Sequence, residues 1–295
     1  MRIAIFGKTG QVATELQRIG SGQHDIQVLG RDVVDFSNPK AVTNAAAQLD
    51  VHAVINAVAY TAVDRAEEET ELANTINGAS VDALATACAA SNTPLVHIST
   101  DYVFDGSGEK PWKTTDHTAP VNAYGQSKLM GEQAITASKV KAAILRTSWI
   151  FSAHGNNFVK TMLRLGAERD VLTIVGDQIG GPTSAHSIAR ACLTLAEKLH
   201  TGGPPGLYHL SGYPNVSWAD FAREIFARSD LSPQIRDIPG AEFPTPAKRP
   251  QNSRLDCSLI FEDHKIERPS WRDDLRHILE DLKKSKSHQN VQGSN

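Results

Sequence analysis

Short apolar runs alternate with stretches whose apolar residues recur every three to four positions, and the alternation starts at the first residues. Ile3 to Phe6 is an apolar run that stops at Gly7-Lys8-Thr9-Gly10, after which Val12, Leu16 and Ile19 fall at helical spacing. Asp25 to Gly30 predicts a second strand, and Pro39 opens a helix reaching about Gln48. Ala53 to Ala59 is apolar on both faces, as a buried parallel strand is, with Asn56 as its one interruption. A long helix over Leu72 to Ser91, a strand over Leu95 to Thr100, a Gly- and Pro-containing loop over 105–120, a helix carrying Tyr124 and a strand over Ala142 to Thr147 follow. Strands separated by amphipathic helices predict an α/β chain with a parallel sheet.

The pattern changes past Trp149. Val171–Val175 and Leu207–Leu210 read as short strands, Ser187–Leu199 and Trp218–Arg228 as helices, and prolines cluster from Pro233 to Pro250. Leu275, Ile278, Leu279 and Leu282 mark a final amphipathic helix. The expected division is a dinucleotide-binding Rossmann-type domain over 1–150, with a doubly wound parallel sheet, and a smaller C-terminal α/β substrate-binding region over 151–283. Elements near 171–199 are expected to pack back on the first sheet, and 284–295 to form a disordered polar tail. No internal repeat is visible.

Composition narrows the function classes. Of 295 residues, 30 are Lys or Arg and 33 Asp or Glu, and no basic tract breaks the balance, which argues against nucleic acid or an anionic membrane as partner. No stretch approaches the ~18 apolar residues of a membrane span. Cys88, Cys192 and Cys257 are far apart and lack metal-ligand spacing, so they are expected to be reduced core residues. The expectation is a soluble cytoplasmic protein acting on a small molecule.

The candidate chemistry centres on Tyr124 and Lys128. Four residues apart on a helix, they share a face. A phenol titrates near pH 10, so a role near neutrality needs its phenolate favoured by about three units, roughly 4 kcal/mol. One cation about 4 Å away supplies that order at an effective dielectric near 20. The pair therefore reads as a tuned general acid, although the same spacing also marks an ordinary solvated helix face. Gly7 and Gly10 let the backbone approach a pyrophosphate whose charge meets the helix N-terminus. The residues ending the second strand are Gly30-Arg31, where an acid would bond a ribose 2′-hydroxyl, so a 2′-phosphate has room. Ser99, Thr100 and Asp101 end the fourth strand, at the edge of a parallel sheet where ligands bind. Arg249, in the stiffened segment Thr245 to Leu255, has a planar fork that can hold phosphate oxygens bidentately.

Together the glycine turn, Thr100, Tyr124 and Lys128 resemble the extended short-chain dehydrogenase/reductase family, over nearly the whole chain. GKTGQV, STDYVF, YGQSKLMGE, RTSWIF, DQIGGPTS and TPAKRPQNSRL occur in the order of that family's branch acting on 4-keto sugars. The resemblance implies reduction of the C4 ketone of dTDP-4-dehydro-L-rhamnose, the last step to dTDP-L-rhamnose, by a nicotinamide cofactor, and Arg31 points to NADPH, with NADH also accepted. It implies that Tyr124 protonates the ketone oxygen, that Lys128 lowers its pKa and bonds the nicotinamide ribose, and that Thr100 orients the carbonyl. Gly10, Gln11 and Val12 match the pyrophosphate turn, Asp35 and Phe36 the adenine side, and Ala59, Tyr60 and Thr61 the strand edge under the cofactor. Asp101 and Trp149 match sugar-pocket positions, and the pyrophosphate of such a substrate makes Arg249 its expected clamp. Ala13 stands where a third glycine is usual, and Gly30-Arg31 replaces an acidic strand end, which argues against strict NADH dependence. The resemblance leaves Mg2+ and a homodimer open, but carboxylate spacing assembles no metal site. A dehydratase or epimerase on the same fold is the nearest rival. Tyr102 rather than glutamate follows Thr100-Asp101, which favours reduction. A non-catalytic nucleotide-binding subunit is the other rival, and it has less need of the full Thr, Tyr and Lys set.

Overall fold

The computed structural model describes the backbone of residues 1–292 and side chains through Lys284. In chain order the elements are β1 (Arg2–Phe6), α1 (Gln11–Gly20), β2 (Asp25–Leu29), α2 (Pro39–Ala47), β3 (Ala53–Asn56), α3 (Thr70–Asn74), α4 (Ser80–Ala90), β4 (Leu95–Thr100), α5 (Ala123–Ser138) and β5 (Ala142–Thr147). There follow β6 (Ile150–Phe151), α6 (Phe158–Glu168), β7 (Val171–Val175), β8 (Ile179–Gly180), β9 (Thr183–Ser184), α7 (Ala185–His200), β10 (Gly206–His209), β11 (Val216–Ser217), α8 (Trp218–Ala227), β12 (Gln234–Ile238), β13 (Asn252–Ser253), α9 (Ser258–His264) and α10 (Trp271–Gln292).

Six of the described strands form one parallel sheet in the order β10-β5-β4-β3-β1-β2. Its residues alternate between two cores, which is why the strands are apolar on both faces. Ile3, Ile5, Ile55, Val96 and Leu145 face α1 and α7, meeting Leu16, Ile188, Cys192 and Leu195. Ala4, Phe6, Val54, Leu95 and Ile144 face the other way, onto Val42, Leu84, Cys88 and Ile135. Helices cover both sides, so the sheet is doubly wound. A separate core under α6, α8 and α10 is built on Phe151, Met162, Phe221, Trp271 and Leu275. The three cysteines are free and buried.

Several elements differ from the sequence expectation. β3 stops at Asn56, three residues early, because the Asn56 side-chain carbonyl accepts the Val58 N–H at 3.0 Å and turns the chain out of the ladder. The long helix over 72–91 is broken between α3 and α4 by a π-helical turn, Thr75–Ala79. Leu207–Leu210 was placed in the C-terminal region, but β10 pairs with β5 as an edge of the main sheet. Within 171–199, α7 returns to that sheet, whereas β7 pairs with β12 away from it. α10 carries helical backbone through Gln292 where a tail was expected, and the rest of that segment, 293–295, lies outside the described residues.

The helix that carries Tyr124 is placed by its cap and its glycines. Asn122, extended at φ −148°, accepts the Gly125 N–H at 2.8 Å and starts α5, and Lys139 in the left-handed conformation ends it. Two positions have no room for a side chain. A Cβ on Gly125 would stand 2.1 Å from the Tyr102 carbonyl oxygen, and one on Gly131 would stand 2.3 Å from that of Asn77 in the π turn. α5 therefore rides directly on backbone. Gly131→Ala gains helix propensity of up to about 1 kcal/mol but overpacks this contact at a cost of roughly 1–3 kcal/mol. A net loss of stability is expected, read as a lower urea midpoint with an unchanged m-value.

Candidate active site

The C-terminal ends of β1, β3, β4 and β5 and the first turns of α1 and α5 meet at one edge of the sheet. Parallel strands leave this edge open to ligands. Tyr124, in the first turn of α5, is half-buried, with its ring edge-on to Tyr102 at 5.5 Å. Thr100 ends β4 beside it: its hydroxyl accepts the Tyr102 N–H at 3.2 Å and donates to Asp101 Oδ1 at 3.2 Å.

Asp101 is 2% exposed, and its Oδ2 has no hydrogen-bond partner in the structure. Burial raises its pKa to about 6, against the opposing hydrogen bonds from Ser253 and Thr100. Ser253 belongs to β13, so the C-terminal region reaches this edge. Trp149 comes from the same side. Its backbone is left-handed at φ 50°, and its indole fits over Gly180, where a Cβ would come within 2.7 Å of the ring and 3.0 Å of Ser253. Trp149 stacks on Trp218 at 3.6 Å with the rings 10° from parallel.

Lys128 is 1% exposed and turned into the sheet. Its Nζ donates to the Ile98 carbonyl at 2.7 Å and lies 3.2 Å from His97 Nε2. Burial brings its pKa down to about 8, with Glu132 one turn along pulling the other way. Glu132 is held in turn by Arg146 Nη2 at 2.6 Å and by the Ser99 hydroxyl at 2.5 Å. The expected tuning of Tyr124 by Lys128 is not what this geometry gives. Burial pushes the phenol up to about 12, Thr100 opposes that rise, Asp101 adds to it, and the ammonium is directed elsewhere.

On the cofactor side, Gly7 has φ +116°, which a side chain would strain, and Gly10 caps α1 with backbone only. A Cβ on Gly10 would meet nothing within 4 Å, and the first turn of α1 has no acidic residue. The space at Gly10 and the positive dipole end of α1, where Gln11 and Val12 begin the helix, fit a dinucleotide pyrophosphate. Gln11 Oε1 also accepts from Asn157 at 3.0 Å. Arg31 is 85% exposed and 3.8 Å from Asp35. Asp32, the next residue, is paired with Lys8 at 2.9 Å. Phe36 is a core side chain, edge-on to Phe6, and does not line this face. Ala59, Tyr60 and Thr61 follow β3, and Asn77 clamps Tyr60 through its N–H at 2.9 Å and its carbonyl at 3.1 Å.

Arg249 stands near Tyr102, but its guanidinium is engaged, Nη2 with Asp64 at 2.8 Å and Nη1 with the Ala247 carbonyl at 3.1 Å. Among the described residues no group of three His, Cys, Asp or Glu side chains is placed to hold a metal ion. Nor is any described helix long and apolar enough to cross a membrane. Sequence reasoning missed Asn77, His97, Trp218 and Ser253. The polar residues Asn56 and His97 inside apolar strands were the available signal, whereas Trp218 and Ser253 are brought in by long-range folding alone.

The raised pKa of Asp101 gives a stability test. The folded state keeps this proton to about pH 6 while the unfolded chain releases it near 3.9, so stability falls as pH rises through that window. Asp101→Asn removes the ionisation. Relative to the parent, the variant is expected to gain stability from pH 4 to pH 7 by at most ~3 kcal/mol, measured by urea unfolding at both pH values.

Residues 1–284 match the family described as the RmlD substrate binding domain. A dTDP-4-dehydrorhamnose reductase of Escherichia coli strain K12 is 41% identical over 298 residues, 96% of this chain and 98% of that protein. Two solved structures superpose closely. A dTDP-4-dehydrorhamnose reductase of Clostridium acetobutylicum gives a TM-score of 0.91 at 35% identity, covering 96% of this chain and all of that one. Its counterpart from Bacillus anthracis, solved in complex with NADP, gives 0.89 at 34% identity, covering 95% and 99%. With nearly the whole chain matched, the protein belongs to the RmlD substrate binding domain family.

Proposed function

We propose that the protein reduces the C4 ketone of dTDP-4-dehydro-L-rhamnose to dTDP-L-rhamnose with NADPH. The observation that carries this reading is the cluster at the β4 edge: the Tyr124 phenol with Thr100, beside a buried carboxylate with a free oxygen and next to a glycine turn shaped for a pyrophosphate. The named relatives carry the same activity in their descriptions, and one binds NADP.

NADPH, when bound, supplies the hydride. The chain's own residues do the rest. Gly7, Gly10 and the amides of Gln11 and Val12 hold the pyrophosphate, and Ala59, Tyr60 and Thr61 line the strand edge beneath the cofactor. Arg31, released from its long contact with Asp35, meets a 2′-phosphate. Tyr124 gives its proton to the ketone oxygen, and its high pKa keeps that proton in place until negative charge develops there. Thr100 fixes the carbonyl by a hydrogen bond. Asp101 offers its free oxygen to a sugar hydroxyl, and Trp149, stiffened by Trp218, supplies an apolar wall for the ring. Arg249 takes the sugar-nucleotide phosphates by exchanging Asp64 for them. The division of labour is residues 1–150 with α7 and β10 for the dinucleotide, and β6 to β9 with β11 to α10 for the sugar nucleotide. No step calls for Mg2+.

Two outcomes are expected. Tyr124→Phe should keep NADPH binding and lose kcat by roughly 10²–10⁴, followed by NADPH oxidation with the 4-keto sugar nucleotide generated in place. Near-parental turnover would sink the assignment. Arg31→Ala should weaken NADPH while leaving NADH unchanged, in parallel titrations of both cofactors. Equal effects would show that Arg31 does not read the phosphate.

A further inference from the structure

Behind the site, Asn56, His97 and Lys128 form a buried polar line that crosses from β3 through β4 to α5. Asn56 and His97 are fully buried. Their hydrogen-bonding roles can be worked out from one end. Val58 N–H can only donate, so the Asn56 atom that accepts it is the carbonyl Oδ1. The Asn56 atom facing His97 Nδ1, at 3.1 Å, is then the amide nitrogen, a donor. Nδ1 must accept. A neutral imidazole carries its single proton on the other nitrogen, so Nε2–H points at Lys128 Nζ, 3.2 Å away.

An ammonium at Nζ has no lone pair to receive that proton. If Nε2 accepted instead, Nδ1–H would confront the Asn56 amide hydrogens. Both contacts are satisfied with Nζ as an amine: one N–H to the Ile98 carbonyl at 2.7 Å and the lone pair to His97 Nε2–H.

We infer that His97, oriented by Asn56, is a positioning residue whose Nε2–H stabilises the amine form of Lys128. The inference deepens the proposed reduction and rests on it for its use. There, a neutral Lys128 leaves no buried ammonium on β4 behind Tyr124, which gives its proton to the ketone oxygen. The charged neighbours do not supply this effect. Glu132 on α5 favours the ammonium, Arg146 on β5 is bound to Glu132, Asp101 faces Tyr124, and the π turn presents only the neutral Asn77, bonded to Ser127. Deep burial acts in the same direction as His97 and lowers the pKa of Lys128.

The test uses the whole protein labelled with 15N-histidine and 13Cε-lysine, with the two signals assigned by their loss in His97→Gln and Lys128→Met. The 15N shifts report the His97 tautomer directly. Nε2 protonated and Nδ1 bare is expected, and a proton on Nδ1 would overturn the inference. In His97→Gln, whose side-chain carbonyl can turn to accept from an ammonium, the Lys128 titration should move up by about one unit, with the alkaline limb of kcat moving alike. A purely structural role for His97 would lower stability and leave the Lys128 titration in place, which would also overturn it. Both shift measurements are made on the protein without substrate, so a failure of the proposed reduction would appear only in the turnover assay.

Discussion

The structure depends on how closely α5 lies against the backbone beneath it. Two glycines without room for a methyl group set Tyr124 against the turn after β4 and fix the height of Lys128 above His97. A helix held off by ordinary side chains packs at roughly 8–10 Å between axes. Here carbonyl oxygens of Tyr102 and Asn77 sit where side chains would be, and the π turn contributes one of them. The same Asn77 whose carbonyl meets Gly131 also ties Tyr60 to Ser127, so one residue registers the strand edge, the interrupted helix and α5 together. The irregular turn is thus part of the placement of the site.

That closeness draws polar groups into a region of low dielectric, where each must find a partner. Most do. Ser99, Glu132 and Arg146 satisfy one another, and Arg146 also lies over the Phe104 ring at 4.9 Å. Asp101 Oδ2 is an exception, together with Thr147 Oγ1 on the neighbouring strand. An unpaired buried carboxylate oxygen costs stability, and in the proposed reduction it is the group offered to a sugar hydroxyl. Stability given up at such a point is characteristic of sites shaped for a ligand.

Much of this was legible in the sequence because parallel strands leave a strong mark. Runs such as Ile3–Phe6 are apolar on both faces, and Leu95–Thr100 has in the structure the boundaries that its pattern predicts. The glycine turn and the helix of Tyr124 were visible for the same reason, each being a local signal. What failed was non-local or lay in one side chain's competition with the backbone. Asn56 ended β3 early by capturing Val58 N–H, and nothing local distinguished β10 from a strand of the smaller region. Spacing placed Tyr124 and Lys128 on one helix, but it could not show that the lysine amine turns inward. That direction is set by Ile98 and His97, on a strand some thirty residues earlier in the chain.

The buried pair of Glu132 and Arg146 bears on how such a chain can drift. Each side chain is under 5% exposed, and they bind through two nearly parallel hydrogen bonds. Removing one partner strands a charge in the core at a cost of about 3–5 kcal/mol, whereas exchanging both for well-packed apolar residues is often neutral. The route from one solution to the other therefore crosses an intermediate that gives up a large share of the few kcal/mol that hold a typical domain together. Positions 132 and 146 are locked by the step between states rather than by the worth of either state, and they behave as a single heritable unit written in two places.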